Sequence, residues 1–525
     1  MIARIRCFVA MKCQLKQARV DEYASARPGQ GGFVSLSRRE VSHSRGVIFV
    51  LALALSGCGL DREEPSIALP QLPKQFAAQK AAAARPVRDW ARQFGSTELT
   101  RLAETAETQN FDIAAAFARI TQAEAQARIA GSALYPQLSA SESASRSLSS
   151  GAARSKEPPF RGSIGNRFSL GLTASYTIDL FGRNKALTES SEANATAAVF
   201  DRDVITITTI ASLANLYFQL VADQDRIRLA QDNIKTAERV LEAIRARLSV
   251  GTATALDTAQ QESVVANQRA SVPALQQNLE QNRNLLGVLV GRAPEVGRIK
   301  GGSLRGMKLP SVRPGLPSQL LLRRPDIAAA EARLGAQNAN VFAARAAFFP
   351  TITLTGNLGF ESITLANLLR PEAIAASLAQ GLTQPIFNGY NLEGQLQLAK
   401  GREIELVEAY RKAIVTALSD VENALIAVRQ TANHERLQQV AVKAALKAYQ
   451  ITQERLREGT IDVVTLLNTQ LTLFQAQDQL IQTRLQRLQA IVSLYQALGG
   501  GWSREGLVIV PDPAVAAAQV AEPAQ

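Results

Sequence analysis

Unbroken alternation of apolar and polar residues runs through residues 169–180, SLGLTASYTIDL. Leucine, alanine, tyrosine and isoleucine lie on one side of the extended chain, and glycine, serine, threonine and aspartate lie on the other. A period of two over about ten residues is typical of strands in membrane β-barrels. Residues 351–360, TITLTGNLGF, carry the same pattern. The sequence therefore predicts two barrel strands, each with an apolar and a polar side.

Each of these strands has a less regular candidate partner. Residues 138–149 are rich in serine and include two charged residues, and residues 375–386 alternate only in part. Either segment fits a strand or a loop. Taken as strands, they give strand pairs at about 138–181 and about 351–387.

Long helices follow the predicted strands. Neither residues 183–248 nor residues 391–456 contain proline, so each segment can form a helix of roughly 100 Å. Shorter return helices are predicted at about 255–290 and about 463–498. Apolar residues recur with the heptad spacing of packed helices. In the first long helix they are Leu213, Leu220, Ile227, Ile234, Leu241 and Leu248, and in the second Ile414, Leu418, Val421, Leu425 and Val428.

The two halves of the chain carry the same motifs in the same order. The pattern Arg-x-x-x-Gly-Thr at 247–252 recurs at 455–460, 208 residues later. The aromatic-Pro pair at 135–136 recurs at 349–350, 214 residues later. Ordered matches at a near-constant offset indicate an internal duplication, with a period too long for a solenoid.

The duplication divides the chain into four segments. We predict a signal peptide at residues 1–57 and a flexible tail at residues 503–525. The first repeat, 58–330, holds an N-terminal segment, a helix, the strand pair at about 138–181, a helical hairpin at about 183–291 and an equatorial linker. The second repeat, 331–502, holds a helix, the strand pair at about 351–387 and a helical hairpin at about 391–498.

The pattern of the N-terminal region predicts a secretory signal. Arg45 precedes a nine-residue apolar run at 47–55, and Ser-Gly-Cys58 follows. This run is far shorter than the roughly 20 residues of a membrane-spanning helix. The sequence around Cys58 resembles the bacterial lipobox, which implies acylation of that cysteine. Gly59 in the next position favours the outer membrane, and the unusual length of residues 1–40 indicates an over-extended translation start.

Composition excludes several classes of protein. The net charge is +12, and it falls to +6 without residues 1–57, so the surface is not that of a nucleic-acid-binding protein. Two histidines and three cysteines argue against a metal site, a disulfide framework or a Cys–His nucleophile. We therefore expect neither a cofactor nor an enzymatic activity.

Four strands cannot close a barrel, and open strand edges are not tolerated in lipid. Because about eight strands is the smallest closed barrel and its interior is filled by side chains, a polar pore needs more. Three copies, which give 12 strands, are the smallest useful number.

Several longer motifs resemble the outer membrane factor (TolC-like) family, specifically the NodT-type lipoproteins of tripartite RND efflux systems. They are LRRPDIAAAE at 322–331, ARAAFFP at 344–350, the two Arg-x-x-x-Gly-Thr patterns and ALGGGW at 497–502. The resemblance implies an α+β membrane protein, a homotrimer whose 12-stranded transmembrane β-barrel continues into a long periplasmic α-helical barrel. It also implies docking onto a periplasmic adaptor (membrane fusion protein) bound to an inner-membrane RND transporter.

The ends of the long helices are candidate docking tips. A glycine there predicts a left-handed helix cap, and the threonine that follows is expected to N-cap the next helix. A plain helical hairpin accounts for this local chemistry, whereas the resemblance implies that the tips form the periplasmic mouth and contact the adaptor. The tip residues are Arg247, Gly251, Thr252, Arg455, Gly459 and Thr460.

Candidate gate residues follow each tip. Asp257 matches by position a carboxylate that narrows the closed mouth in the family, although it also fits a solvated helix-surface acid. The family has carboxylates where this chain has Thr465 and Asn468, which leaves a salt-bridge latch on that side without support. Asn468 can still hydrogen-bond there, and Asp462 is an alternative acid. Three inward aspartates would repel one another unless paired.

The resulting hypothesis is a passive trimeric conduit for drugs or other small molecules across the bacterial outer membrane. Two alternatives remain at this stage, an outlet for type I protein secretion and a lipid-anchored coiled-coil scaffold. The predicted strands argue against the scaffold. The polar strand residues expected to line the lumen are Thr173, Ser175, Thr177, Thr353 and Thr355.

Overall fold

The computed structural model describes residues 70, 73, 76, 77, 89–150, 162–293, 299–312 and 314–504. All of them belong to one compact unit, residues 62–525. The predictions for the signal peptide and for Cys58, and most of the predicted C-terminal tail, lie outside these residues.

Helices and strands alternate in the order of the predicted repeat. A short 3-10 helix, Trp90–Phe94, comes first. The helices are α1 (Thr97–Gln109), α2 (Phe111–Gly131), α3 (Arg183–Ser249), α4 (Ala255–Val290), α5 (Leu320–Arg323), α6 (Pro325–Ala346), α7 (Asn391–Arg457) and α8 (Val463–Ala497). The strands are β1 (Gln137–Ser149), β2 (Ser163–Ile178), β3 (Thr351–Ser362) and β4 (Ile374–Thr383).

The four strands form one antiparallel sheet in the order β1-β2-β3-β4. Both irregular candidate segments are therefore strands. Large apolar side chains on one face are exposed, among them Leu138, Leu172 and Leu378. Within this chain β1 and β4 each pair on one side, so the sheet has two open edges.

The helices pack in the same order as the strands. Near the sheet, α3 contacts α2 and α6, and α6 contacts α7. Beyond the middle of the long helices, α3 contacts α4 and α8, and α8 contacts α7. The helices thus form a row in the order α2-α3-α6-α7 near the sheet and α4-α3-α8-α7 toward the tips. The first helix of each row belongs to the first repeat and the last helix to the second repeat, as β1 and β4 do in the sheet.

A central core joins the long helices to the segment at 299–307, which contributes Leu304 and Met307. Trp90 stacks on Tyr495 with ring centroids 5.3 Å apart, and Phe94 contacts Phe218 at 5.0 Å. Burial raises the pKa of Tyr495 to about 12, and it does the same for Tyr217, so both hydroxyls stay protonated. This cluster fixes the middle of the protein, well away from the sheet and from the helix tips.

Within the described residues, α3 holds an 18-residue stretch that is long and apolar enough to cross a membrane. About 44% of that stretch is buried inside the protein. Leu213, Phe218 and Leu220, which are fully buried in the central core, lie on the same helix. Packing in the core therefore explains why this stretch of α3 is apolar. The stretch was not predicted from the sequence, because polar residues interrupt its apolar runs.

Two motifs that carried the family resemblance meet in space. Arg324 binds Asp326 and Asp420, and it donates to the carbonyl oxygen of Ala497 at 3.1 Å. Gly499 has φ +88°, and a Cβ atom there would lie 2.0 Å from the carbonyl oxygen of Arg323. The glycine run after α8 is thus required by the close approach of the Arg-Arg-Pro-Asp segment.

Candidate functional site: the helical tips and the polar sheet face

The first tip ends α3 with a Schellman motif. Gly251 adopts φ +74° and donates to the carbonyl oxygen of Leu248 at 3.0 Å, and Thr252 N donates to that of Arg247 at 2.8 Å. The Thr252 hydroxyl also donates to the Arg247 carbonyl, at 3.1 Å. These three bonds satisfy two carbonyl groups that the end of a helix leaves unpaired. The predicted left-handed glycine is confirmed.

The second tip repeats this geometry at the end of α7. Gly459 adopts φ +74° and donates to Leu456 O at 3.1 Å. Thr460 N donates to Arg455 O at 3.0 Å, and the Thr460 hydroxyl donates to the same oxygen at 3.1 Å. The two tips are therefore equivalent in their backbone as well as in their sequence.

The predicted role of Thr252 and Thr460 as N-caps of the following helices is wrong. Thr254 caps α4, and Asp462 caps α8. Both threonines instead close the end of the preceding helix, because the Schellman turn directs their hydroxyls back to its last carbonyls. Each tip needs two more residues before the next helix can begin.

Asp257 lies in the first turn of α4 and completes a capping box. Its Oδ2 atom accepts hydrogen bonds from Thr254 N and from the Thr254 hydroxyl, both at 2.8 Å. Asp257 N in turn donates to the Thr254 hydroxyl oxygen at 3.2 Å. One carboxylate oxygen is thus engaged within its own hairpin, and the half-buried side chain is oriented by the cap.

Asp462 has the corresponding place in the second hairpin. Its Oδ1 atom accepts from Thr465 N at 2.9 Å and from the Thr465 hydroxyl. These bonds hold the pKa of the exposed Asp462 carboxyl below its ordinary value. Asn468, one turn further along α8, is exposed. Two candidate gate positions, Asp462 and Thr465, therefore bond to each other within one chain.

One hydrogen bond at the mouth joins the two hairpins, and it was not predicted from the sequence. Nη1 of Arg247, at the end of α3, donates to the backbone carbonyl oxygen of Leu456, at the end of α7. A carbonyl acceptor has no side-chain signature, so only the fold reveals this partner. An apolar cluster supports the tips from inside, and Ile244, Val265, Leu456 and Leu466 belong to it.

The polar face of the sheet carries a ladder of hydrogen-bonding side chains. Ser139, Thr173, Asn357 and Ser377 lie directly opposite one another on β1, β2, β3 and β4. The Thr173 hydroxyl donates to Asn357 Oδ1 at 2.8 Å, and Asn357 Nδ2 donates to the Ser377 hydroxyl at 3.3 Å.

The predicted lumen residues belong to the face that carries this ladder. Ser175 lies opposite Thr355, and Thr177 lies opposite Thr353. Among the described residues no group of His, Cys, Asp or Glu side chains is arranged to hold a metal ion.

Comparison with known proteins identifies the family. The family model described as outer membrane efflux protein matches residues 102–292 and 316–500. The pyoverdine export outer membrane protein OpmQ of Pseudomonas aeruginosa is 37% identical over 461 residues, which cover 87% of this chain and 97% of OpmQ. The chain belongs to the outer membrane efflux protein family.

Other members of the family agree in sequence and in structure. The toluene efflux pump outer membrane protein TtgC of Pseudomonas putida is 34% identical over 461 residues, covering 86% of this chain and 94% of TtgC. The MtrE outer membrane channel of Neisseria gonorrhoeae superposes with a TM-score of 0.75 at 28% identity, covering 85% of this chain and 99% of MtrE.

These comparisons fix the class of the protein. It has the fold of the TolC-like channels, in which an α-helical barrel extends from a β domain. It is an outer membrane efflux channel of the tripartite type that extends into the periplasm. Its relatives are channel proteins rather than enzymes.

Proposed function

We propose that three copies of the chain form a passive conduit whose tips dock on a periplasmic adaptor and whose cargo is delivered by an inner-membrane RND transporter. The observation that carries the proposal is the four-stranded sheet with two open edges and an exposed apolar face. Such a sheet is stable in lipid only when β1 of one copy pairs with β4 of the next.

The two faces of the sheet support the proposal that the polar face lines the lumen. Leu138, Leu172 and Leu378 on the apolar face are 70%, 46% and 85% exposed, as expected for side chains that face lipid. The opposite face carries the serine, threonine and asparagine ladder. It also carries an ion pair between Arg167 and Glu361 at 2.8 Å. A polar, hydrated lumen suits a duct that accepts varied cargo and leaves selection to the pump.

Docking of the adaptor at the tips is supported by their equivalence. A trimer would present each of the two tips three times around one mouth, in nearly identical backbone geometry. Gly251 and Gly459 each have open space where a side chain would start, so the adaptor can approach the backbone. The relatives include channels named for toluene efflux and for pyoverdine export, and we propose a small-molecule cargo for this chain as well.

The channel proposal is tested by mass and conductance together. We expect the purified protein in detergent to have the mass of three chains and to open pores in planar lipid bilayers. A matched control is Thr173→Val with Asn357→Leu, which removes the lumen ladder but leaves the apolar face intact. This variant should still assemble but with altered conductance. A monomeric, non-conducting wild-type protein would contradict the proposal.

The gate role of Asp257 is tested separately from its capping role. Asp257→Asn keeps an oxygen that can accept from Thr254 but removes the charge, whereas Asp257→Ala removes both. If a ring of aspartates narrows the mouth, both variants change the closed-state conductance. If the residue acts only as a cap, Asp257→Ala alone changes it, and the gate assignment fails.

A further inference from the structure

The carboxylates expected to latch the mouth are engaged within their own hairpins. Asp257 is bonded to Thr254, and Asp462 is bonded to Thr465. Besides the apolar cluster beneath the tips, the bond from Arg247 to Leu456 O ties one hairpin tip to the other among the described residues. A cation that donates to the last carbonyls of a helix is favoured by the helix dipole as well as by the hydrogen bond.

The internal repeat provides a second arginine and a second carbonyl in the same positions. Arg455 lies four residues before Gly459, as Arg247 lies four residues before Gly251. Leu248 O accepts from Gly251 N at 3.0 Å, just as Leu456 O accepts from Gly459 N at 3.1 Å. Arg455 therefore has the same position in the second tip as Arg247 has in the first. Leu248 likewise has the same position in the first tip as Leu456 has in the second.

The second pair differs from the first in exposure. Arg247 is half-buried and Leu456 is 8% exposed, because the two hairpins cover each other. Arg455 is exposed, and Leu248 is 38% exposed. Arg455 lies near the end of α7, which is the last helix of the row, while Leu248 lies near the end of α3, which contacts α4, the first helix of the row. The exposed Arg455 and the exposed Leu248 thus lie toward opposite ends of the row of helices.

We propose that Arg455 donates to the backbone carbonyl oxygen of Leu248 in the neighbouring copy. Together with the bond from Arg247 to Leu456, it closes a ring of arginine–carbonyl links around the mouth, two for each copy. This latch rests on the proposed trimeric channel and names the contact that holds its mouth closed. Opening breaks these bonds, so a partner that binds the tip arginines or the last carbonyls of the helices competes with the closed state.

Cross-linking tests the contact between copies. In Arg455→Cys with Leu248→Cys, a short bis-maleimide should give covalent dimers and trimers on denaturing gels. The matched pair, Arg247→Cys with Leu456→Cys, should cross-link within one chain and still migrate as a single chain on the gel. Each single-cysteine variant controls for the cysteines already in the sequence, at positions 7, 13 and 58. Absence of covalent dimers from the first pair, in a protein that migrates as a trimer, would overturn the latch alone.

Conductance measurements test the effect of the arginine–carbonyl latch on the closed state. Loss of a hydrogen bond to a charged group corresponds to roughly tenfold in the ratio of open to closed mouths. Arg455→Ala and Arg247→Ala should therefore raise closed-state conductance to similar extents, and Arg455→Lys should raise it less. An unchanged closed state in Arg455→Ala beside a leaky Arg247→Ala would refute the proposal. A wild-type protein that neither assembles nor conducts would refute the channel itself, and the latch with it.

Discussion

Phe181, just after β2, stacks on Phe349, just before β3, with ring centroids 4.7 Å apart and planes inclined by 27°. Phe349 belongs to the repeated aromatic-Pro pair, and Phe181 lies in Leu-Phe-Gly at 180–182, which has an echo in Ile-Phe-Asn-Gly at 386–389. Their counterparts are Phe387, which follows β4, and Tyr135, which precedes β1. These two side chains are 79% and 71% exposed, and they lie beside the two open edges of the sheet.

We expect Tyr135 of one copy to stack on Phe387 of the next. Aromatic pairs contribute about 0.5–1.5 kcal/mol beyond the burial of their area, so Tyr135→Ala and Phe387→Ala should each lower the temperature at which the trimer dissociates. The double variant should lose less than the sum of the single losses, because each single change already removes the contact. Semi-native gel electrophoresis after stepwise heating measures the effect.

The control for this pair is Ile363→Ala, which changes a side chain of similar exposure, 75%, in the connection between β3 and β4. It should leave the dissociation temperature unchanged. Strict additivity of the Tyr135 and Phe387 effects would show that the two rings do not meet.

Glycines with the same backbone conformation are expected to differ in their tolerance of alanine. Gly459 has φ +74° and open space around its missing side chain, so Gly459→Ala should cost only the left-handed strain, about 1–2 kcal/mol. Gly499 has φ +88°, and a Cβ atom there would lie 2.0 Å from Arg323 O, so the backbone itself must move.

Gly499→Ala should therefore destabilise the protein more than Gly459→Ala does, and it should disturb the contact of Arg324 with the end of α8. Thermal unfolding followed by circular dichroism at 222 nm (the helix signal) compares the two variants. Equal losses of thermal stability in the two variants would mean that the backbone of the segment before α6 can move aside without lowering stability.

Periodicity was sufficient to predict most of the fold. The first long helix was predicted at 183–248 and ends at Ser249. The last strand was predicted at 375–386 but ends at Thr383, two residues before Pro385, whose lack of an N–H group does not suit a strand interior. The signal for β1 was weak because Glu142 stands on its apolar side, opposite Leu170.

The site was less predictable than the fold. Positive φ at Gly251 and Gly459 follows from local chemistry, and the sequence predicted it. The N-caps were misassigned because threonine or aspartate stands at several adjacent positions, and only the geometry of the turn selects Thr254 and Asp462. The bond of Arg247 to a backbone oxygen 209 residues away depends on how the two hairpins pack.

Asp223 predicts a pH dependence of stability. It is 1% exposed, and it accepts from Gln219 and from Asn282, both at 2.9 Å. Burial raises the pKa of its carboxyl above the ordinary value, although the two hydrogen bonds and the charge of Arg226 oppose the shift. A folded-state pKa above the unfolded one means that ionisation of Asp223 opposes folding.

The loss of stability caused by ionised Asp223 vanishes below the pKa of its carboxyl in the unfolded chain. It reaches its full size above the raised pKa in the folded protein. The melting temperature of Asp223→Asn minus that of the wild type should therefore increase as pH rises from about 4 towards 7. Melts at matched ionic strength measure this difference, and Asp232→Asn, which changes an exposed aspartate on the same helix, is the control. A difference that falls or stays level across the range would contradict the assignment.

Glu435 should be among the side chains on α7 whose charge matters most for stability. It is 3% exposed and accepts from Arg484 at 3.0 Å and from Arg487 at 2.7 Å, which ties α7 to α8. Arg484 also donates to Met307 O at 2.9 Å and so joins the segment at 299–307 to the hairpin. Glu435→Leu leaves two guanidinium groups without their anion, a type of loss that costs about 3–5 kcal/mol.

The matched change is Glu408→Leu on the same helix, since Glu408 pairs with Arg411 while its side chain is 61% exposed. Exposed pairs contribute about 0–1 kcal/mol, so this variant should melt close to the wild type. Glu435→Leu should also free the segment at 299–307, which hydrogen–deuterium exchange detects as faster exchange there. If the two variants melt alike, the buried cluster does not stabilise the fold. If only exchange at 299–307 changes, Glu435 acts through that segment and not through the hairpin.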